Sequence, residues 1–185
     1  AMANSAQQSG KSVIDISEIK IHSQSALWHK TRLGVFDLSL KQTTNDWAGD
    51  IESVYGKGKF QFPVDTGNAN TINLDMDVLN LTALKQLKLQ EGVSSNAGFK
   101  PLININSKKT LWQGGNLGQL TLNTERTANG IHIKRLELEG DDQKLSMTGN
   151  WRVAGINSIT HVHGKLDIQK ADQLFDKLNI TKDLT

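Results

Sequence analysis

Residues 117–153 read LGQLTLNTERTANGIHIKRLELEGDDQKLSMTGNWRV, and this stretch decides the fold class. Apolar residues occupy every second position in its runs, and the turn-forming pairs Asn129-Gly130 and Gly140-Asp141 stand between the runs. A period of two is typical of a β-strand with one face toward apolar surroundings and the other toward water. The stretch therefore predicts a series of antiparallel hairpins.

The same alternation extends over most of the chain. The apolar runs are Ile14, Ile16; Ile19, Ile21; Phe36, Leu38, Leu40; Phe60, Phe62, Val64; Ile72, Leu74, Met76, Val78; Leu120, Leu122; Ile131, Ile133; Leu136, Leu138; Leu145, Met147; Trp151, Val153; and Leu166, Ile168. A slip of one residue between Glu18 and Ile19 indicates a bulge or a change of strand. Gly67-Asn68 and Gly114-Gly115 predict further reversals.

Helical periodicity is confined to two short segments. In residues 170–180, Ala171, Leu174, Phe175 and Leu178 follow the spacing of one helix face, and residues 81–87 show a weaker version. Two short helices cannot cover a large sheet. The predicted fold is therefore mainly β: a curved antiparallel sheet or open β-groove built from two similar halves, with one or two short helices.

Composition narrows the domain organisation and the function classes. The 185 residues predict one β-groove domain over residues 12–185, preceded by a polar tag or linker over residues 1–11. There is no cysteine, so disulfides and thiolate metal ligands are excluded. The net charge of +2 is small and its lysines are scattered, which predicts no nucleic-acid partner. No apolar run approaches the length of a membrane span.

The chain repeats itself at a shift of 84 residues. Leu27, Trp28, Leu33, Gly34, Leu38, Thr43 and Asn45 recur as Leu111, Trp112, Leu117, Gly118, Leu122, Thr127 and Asn129. At a shift of 92, Leu74-Asp75-Met76 recurs as Leu166-Asp167-Ile168. The sequence predicts two halves, over about residues 12–90 and 101–180, each with several strands and then a helical turn. Such repetition is typical of a sheet that grows by adding strands at its edge.

Several of these segments together carry a family resemblance. The motifs IHIKRLELEG (131–140), LSMTGNW (145–151) and GKLDIQKADQLFDKL (164–178), with INLDMDVLNLTAL (72–84) in the first half, are similar to the C-terminal region of AsmA-like proteins, in particular their large YhdP-type branch. The resemblance implies a periplasmic protein of a Gram-negative envelope, anchored in the inner membrane by a segment absent from this chain. It also implies a β-sheet groove that conveys phospholipid between the two membranes, with no catalytic residue and no cofactor.

A sheet with one apolar face has to bury that face. The candidates for an acyl-chain groove are Phe36, Leu38, Phe60, Phe62, Leu120, Leu122, Ile131, Ile133, Leu145 and Met147. The inward face of an ordinary closed sandwich would have the same pattern, so core packing and lipid contact both stay open.

Other chemistry-bearing residues have plainer interpretations. His161 and His163 share a strand face, but the sequence supplies no third metal ligand at a useful spacing. Asp46, Asp50 and Glu52, like Asp141 and Asp142, stand near turns, where carboxylates usually cap or solvate the chain. The tryptophans Trp28, Trp47, Trp112 and Trp151 fit a packing role or an interface with lipid. Gly114-Gly115 with Gly118 lacks a following helix, which excludes a phosphate loop and favours a hairpin turn.

Three functions from different classes remain. The first is a lipid-handling module whose partners are phospholipid acyl chains. The second is a structural module whose sheet edges pair with neighbouring β segments of the same full-length protein or with another copy of itself. The third, a hydrolase or carbohydrate-binding protein, lacks the aromatic platform and paired carboxylates that it requires, so we expect no catalytic and no metal site.

Overall fold

The structure, a computed structural model, describes residues 16–28, 31–64, 71–86, 102–154 and 157–171. Ten strands form one sheet whose spatial order is the order of the chain. They are β1 (Glu18–Trp28), β2 (Thr31–Gln42), β3 (Asp46–Ser53), β4 (Gly56–Pro63), β5 (Thr71–Asn80), β6 (Leu102–Trp112), β7 (Gly115–Thr127), β8 (Gly130–Glu139), β9 (Gln143–Ala154) and β10 (Asn157–Ile168). The expectation of a mainly β, curved and open sheet is confirmed.

One junction in the sheet is parallel. All other neighbours pair antiparallel, whereas β5 pairs parallel with β6, with Leu74 opposite Ile105. A parallel pair needs a crossover of a dozen or more residues, and residues 81–101 supply it. The prediction of antiparallel pairing holds within each half and is wrong at the junction between them.

The crossover opens with a short helix. Helix α1 (Leu81–Gln86) follows β5 directly. Asn80 caps its N-terminus, because its Oδ1 accepts a hydrogen bond from the backbone N–H of Ala83 at 3.1 Å. Lys85 places its Nζ 5.4 Å from the ring centroid of Trp112 at the end of β6. The cap and this cation–π contact fix where β5 ends and how α1 lies against β6.

Two tight turns differ in detail from their predictions. The β6–β7 hairpin closes at Trp112 opposite Gly115, with positive φ at both Gln113 (49°) and Gly114 (85°). Positive φ at both central residues is the geometry that tight hairpins prefer. The β7–β8 hairpin closes at Thr127 opposite Gly130, so its turn residues are Ala128 and Asn129 and the predicted Asn129-Gly130 turn is wrong by one position.

The 84-residue repeat has a structural counterpart in two hairpins. In β1–β2, Ser23 lies opposite Phe36, Ala26 opposite Gly34 and Trp28 opposite Thr31. Adding 84 to each number gives the β6–β7 pairs Ser107–Leu120, Thr110–Gly118 and Trp112–Gly115. Gly34 and Gly118 both have positive φ, 71° and 94°, where the register shifts. The two hairpins therefore share one register and one bulge.

Bulges also displace residues from their predicted faces. The register of β4–β5 shifts between Lys57 and Gly58, so Leu79 and not Val78 continues the face that carries Met76. Val64 follows the last residue of β4 and is exposed. The sheet begins at Glu18, the position of the predicted slip, and the first bulge lies farther on.

Some predictions fall outside the described residues. They concern the segment 1–11, Ile14, the Gly67-Asn68 turn and the C-terminal helix with Leu174, Phe175 and Leu178. Of that helix only Ala171, which is helical, is described.

Candidate functional site: an apolar band across the sheet

Register brings apolar side chains into two rows that cross every strand. Row A consists of Ile21, Leu38, Ile51, Gly58, Met76, Ser107, Leu120, Leu138, Leu145 and Leu166, in order from β1 to β10. Row B consists of Ile19, Leu40, Gly49, Phe60, Leu74, Ile105, Leu122, Leu136, Met147 and Gly164. With strands about 4.8 Å apart, each row is about 43 Å long.

The composition of the two rows is almost purely apolar. Every position is an apolar residue or a glycine except Ser107 in row A. The hydroxyl of Ser107 donates to the backbone carbonyl of Lys109 at 3.0 Å, which satisfies it within its own strand. Rows A and B together form the apolar band, a continuous strip on one face of the sheet.

The reverse face has the opposite character along the same line. The reverse row, between rows A and B but on the other face, consists of Lys20, Ser39, Asp50, Lys59, Asp75, Asn106, Thr121, Glu137, Ser146 and Lys165. All of these side chains are polar. The sheet thus separates an apolar face from a wet face through its whole width.

All ten predicted groove residues lie on the apolar face. Row A contains Leu38, Leu120 and Leu145, and row B contains Phe60, Leu122 and Met147. The other four flank the band: Phe36, Phe62, Ile131 and Ile133. The rings of Phe60 and Phe62 stack with centroids 6.0 Å apart. The geometry brings these residues together on one surface, and their contact with lipid stays a prediction.

Sequence reasoning missed several members of the band. Ile105 of row B alternates with Ile103, which flanks the band, within LININ (102–106), and that alternation was the available signal. Gly49 and Gly58 also stand in the two rows, although glycine carries no hydrophobic signal. Glycine is required there because the backbone approaches closely: a Cβ at Gly49 would lie 1.8 Å from the carbonyl oxygen of Ser39, and a Cβ at Gly58 would lie 2.5 Å from the carbonyl oxygen of Asp75. Only the pairing register assigns them to the band.

The apolar face remains accessible. Ile21 and Leu166, in the outermost strands of the band, expose 45% and 51% of their surface, and most other members of the band are half-buried. Val162, which flanks the band on the same face, exposes 45%. Among the described residues, the buried apolar side chains are Leu40, Met76, Leu79, Leu102 and Leu117. The second layer that would seal a sandwich is absent from the described part of the chain.

The reverse face carries hollows and exposed ion pairs. One hollow of about 480 Å³ is lined by Lys20, Asp50 and Lys59 among others, and its floor is the first half of the sheet. Lys108 donates to Asp77 at 2.7 Å, and this hydrogen bond is the largest cause that lowers the pKa of the Asp77 carboxyl. Ion pairs this exposed contribute little to stability.

The remaining candidate residues do not form a reactive cluster. His161 and His163 are exposed on β10, and the described residues contain no group of three or more potential metal ligands. Asp46 accepts from Gln61 at 2.9 Å, and Asp142 pairs with Lys170 at 3.4 Å. Asp50 and Glu52 lie on the wet face of β3, and Asp141 is exposed in the β8–β9 turn.

The tryptophans lie on the apolar face or at its ends. Trp47 and Trp151 are half-buried on that face, opposite Phe62 and Ile131 respectively. Trp28 and Trp112 hold equivalent places in the two hairpins of shared register.

Among the helices described, none has the length and apolarity that crossing a bilayer requires. No family model, curated protein or solved structure matches this chain.

Proposed function

We propose that this protein is a non-enzymatic lipid-handling module whose apolar band holds the acyl chains of phospholipid. The observation that supports the proposal is the pair of rows that are apolar or glycine at every position but Ser107, accessible on one face and backed by a fully polar row on the other. An exposed apolar surface of this length is unusual in a protein that binds nothing.

Energetics favour an acyl chain as the occupant. Burying one methylene stabilises by about 0.8 kcal/mol, so a sixteen-carbon chain covered on one side gains on the order of 6 kcal/mol. That gain is enough to draw a chain out of water. The band has the same character from strand to strand, so a bound chain would meet many low barriers as it moved and no single high one.

In a cell this function belongs to an envelope protein that carries phospholipid between the inner and outer membranes of a Gram-negative bacterium. That setting rests on the resemblance of the sequence motifs to AsmA-like proteins, which implies a periplasmic location and neither a catalytic site nor a cofactor. The accessible band is compatible with such a groove.

The test is photocrosslinking. Protein stripped of lipid and incubated with vesicles containing a phospholipid with a photoactivatable acyl chain should form adducts on band residues such as Leu122 and Met147. Adducts on the reverse row, at Thr121 or Ser146, measure nonspecific labelling. Equal labelling of the two faces would contradict the proposal.

A second candidate function rests on the edges of the sheet. β1 and β10 have neighbours on one side only among the described strands, and free edges can pair with another strand. The hairpin β6–β7 extends β5 and shares its register with β1–β2, so strands of this kind can continue a sheet. A concentration-dependent dimer in light scattering that shields the amides of β10 from hydrogen exchange would favour this function.

A further inference from the structure

The margin of the apolar face beyond row B contains one charge. Strand alternation and register place Arg126 on that face, because it lies opposite Ile131, which in turn lies opposite Trp151. Of the strand residues that the structure describes on this face, Arg126 is the only charged one. Every other described lysine, arginine, aspartate or glutamate of the strands lies on the wet face or at a bulge or strand end.

The surroundings of Arg126 resemble a boundary between an apolar phase and water. Arg126 is exposed, four residues along β7 from Leu122 of row B, which is about 13 Å. Ile131 lies opposite it on β8, and the half-buried Trp151 lies opposite Ile131 on β9, two strands from Arg126. Arginine and tryptophan in this arrangement are typical of the level at which lipid headgroups meet acyl chains.

At the opposite margin, the described positions that pair directly beyond row A on this face carry no charged residue. Beyond row A the same face carries Ser53, Thr110 and Gln143, which are neutral. The regularly paired positions of the two margins therefore differ in charge, and Arg126 can stabilise an anionic group at the margin beyond row B.

We infer that Arg126 holds the phosphate of a phospholipid whose acyl chains lie on rows A and B, so that the headgroup is bound at the β7–β8 margin. The inference rests on the proposed lipid function and adds the orientation of the lipid. A guanidinium has five N–H donors and matches a phosphate with two parallel charge-assisted hydrogen bonds. Arg126 and Trp151 each also have an interaction within the chain.

Arg152 provides a matched control. It is one residue from Trp151, equally exposed, and on the wet face because it lies opposite Gly130 and Ile159. Arg126→Gln and Arg152→Gln remove the same charge from neighbouring places on opposite faces. Any loss due only to net charge will be the same in both variants.

The experiment compares phosphatidylglycerol with diacylglycerol of the same photoactivatable acyl chains, both presented in phosphate-free dodecyl maltoside micelles and detected by photoadduct yield. The unchanged protein should favour phosphatidylglycerol by about five- to tenfold, since one exposed bidentate contact is involved. Arg126→Gln should abolish this preference without lowering diacylglycerol binding, Arg126→Lys should restore part of it, and Arg152→Gln should leave it unchanged.

The outcomes separate the inference from the function beneath it. Binding of both lipids with no preference, or an equal loss in Arg126→Gln and Arg152→Gln, overturns the assignment of Arg126 and leaves the lipid function standing. Failure of the unchanged protein to bind either lipid overturns both. Displacement of bound lipid by glycerol phosphate alone would show an ordinary anion site and also refute the inference.

Discussion

A single change at the centre of the apolar band tests whether acyl chains lie on it. Ile105 is half-buried in row B between Leu74 and Leu122, and its neighbour Asn106 points to the wet face between Asp75 and Thr121. Ile105→Thr and Asn106→Thr introduce the same β-branched residue at adjacent positions on opposite faces. Threonine keeps a strong strand preference at both.

The expected loss follows from the size of the change. Ile105→Thr removes two carbons from the surface and adds a hydroxyl. The carbons contribute about 0.8 kcal/mol if a chain covers them on one side, and a hydroxyl without a partner against a hydrocarbon chain costs about another 1 kcal/mol. The sum is close to the 1.4 kcal/mol that corresponds to tenfold in affinity. We therefore expect roughly a tenfold loss of lipid at this place.

The assay has to be local, because the band is long enough for a lipid to bind elsewhere. At subsaturating photoactivatable phospholipid, the adduct yield mapped to β6 and β7 should fall about tenfold in Ile105→Thr and stay constant in Asn106→Thr. Adducts on β1 to β3 should be unaffected in both. An unchanged yield in Ile105→Thr, with the fold intact by circular dichroism, would refute the reasoning.

Three further predictions concern stability. Asn80→Ala removes the cap of α1 and the hydrogen bond from Nδ2 to the carbonyl of Val54 at 3.1 Å, so urea unfolding should show a free energy of unfolding lower by about 1–2 kcal/mol. Asn116→Ala is the control, because it removes a local hydrogen bond to the backbone N–H of Gly118. Gly118→Ala should lower the free energy of unfolding more than Gly114→Ala does. Both glycines have positive φ, but a Cβ at Gly118 would lie 2.0 Å from the carbonyl oxygen of Glu139, whereas one at Gly114 meets open space. Equal losses of stability in the two variants would contradict this close approach. The pKa of Asp77 is lowered, first by the hydrogen bond from Lys108, so this carboxyl contributes stability above its ordinary pKa and loses it as pH falls through the lowered value. In a carboxyl NMR titration, Lys108→Ala should raise the pKa of Asp77. An unchanged pKa would exclude the ion pair in solution.

Period-two alternation predicted the strands well because each strand obeys a local rule. It failed where a single residue changed the phase. Val78 continues the alternation of Met76 in the sequence, but the bulge opposite Lys57 and Gly58 gives its place to Leu79. The extra residue is Asp77 of β5 itself, between Met76 and Val78, and the alternation of polar and apolar residues does not mark it.

The parallel junction was also beyond local reasoning. Nothing in the alternation of Leu74 and Met76 differs from that of strands in antiparallel hairpins. The direction of the next strand depends on the connection between β5 and β6, of which the structure describes α1, and α1 had only a weak sequence signal. The ten groove residues, by contrast, needed only the correct face, and every one of them was placed on it.

The register shifts explain why the apolar band is continuous. Shifts occur in five strand pairs: beyond Ser23 in β1–β2, at Lys57 in β4–β5, beyond Ser107 in β6–β7, at Asn123 in β7–β8 and between Ile133 and Leu136 in β8–β9. All five lie outside the two steps of pairing that join rows A and B. A bulge bends its strand and increases the local twist, so the margins of the band are distorted while its floor keeps an uninterrupted ladder. The part of the sheet with unbroken register is therefore also the part whose paired positions are apolar or glycine apart from Ser107. The proposed lipid function requires this coincidence, because a sliding acyl chain needs an even surface from strand to strand.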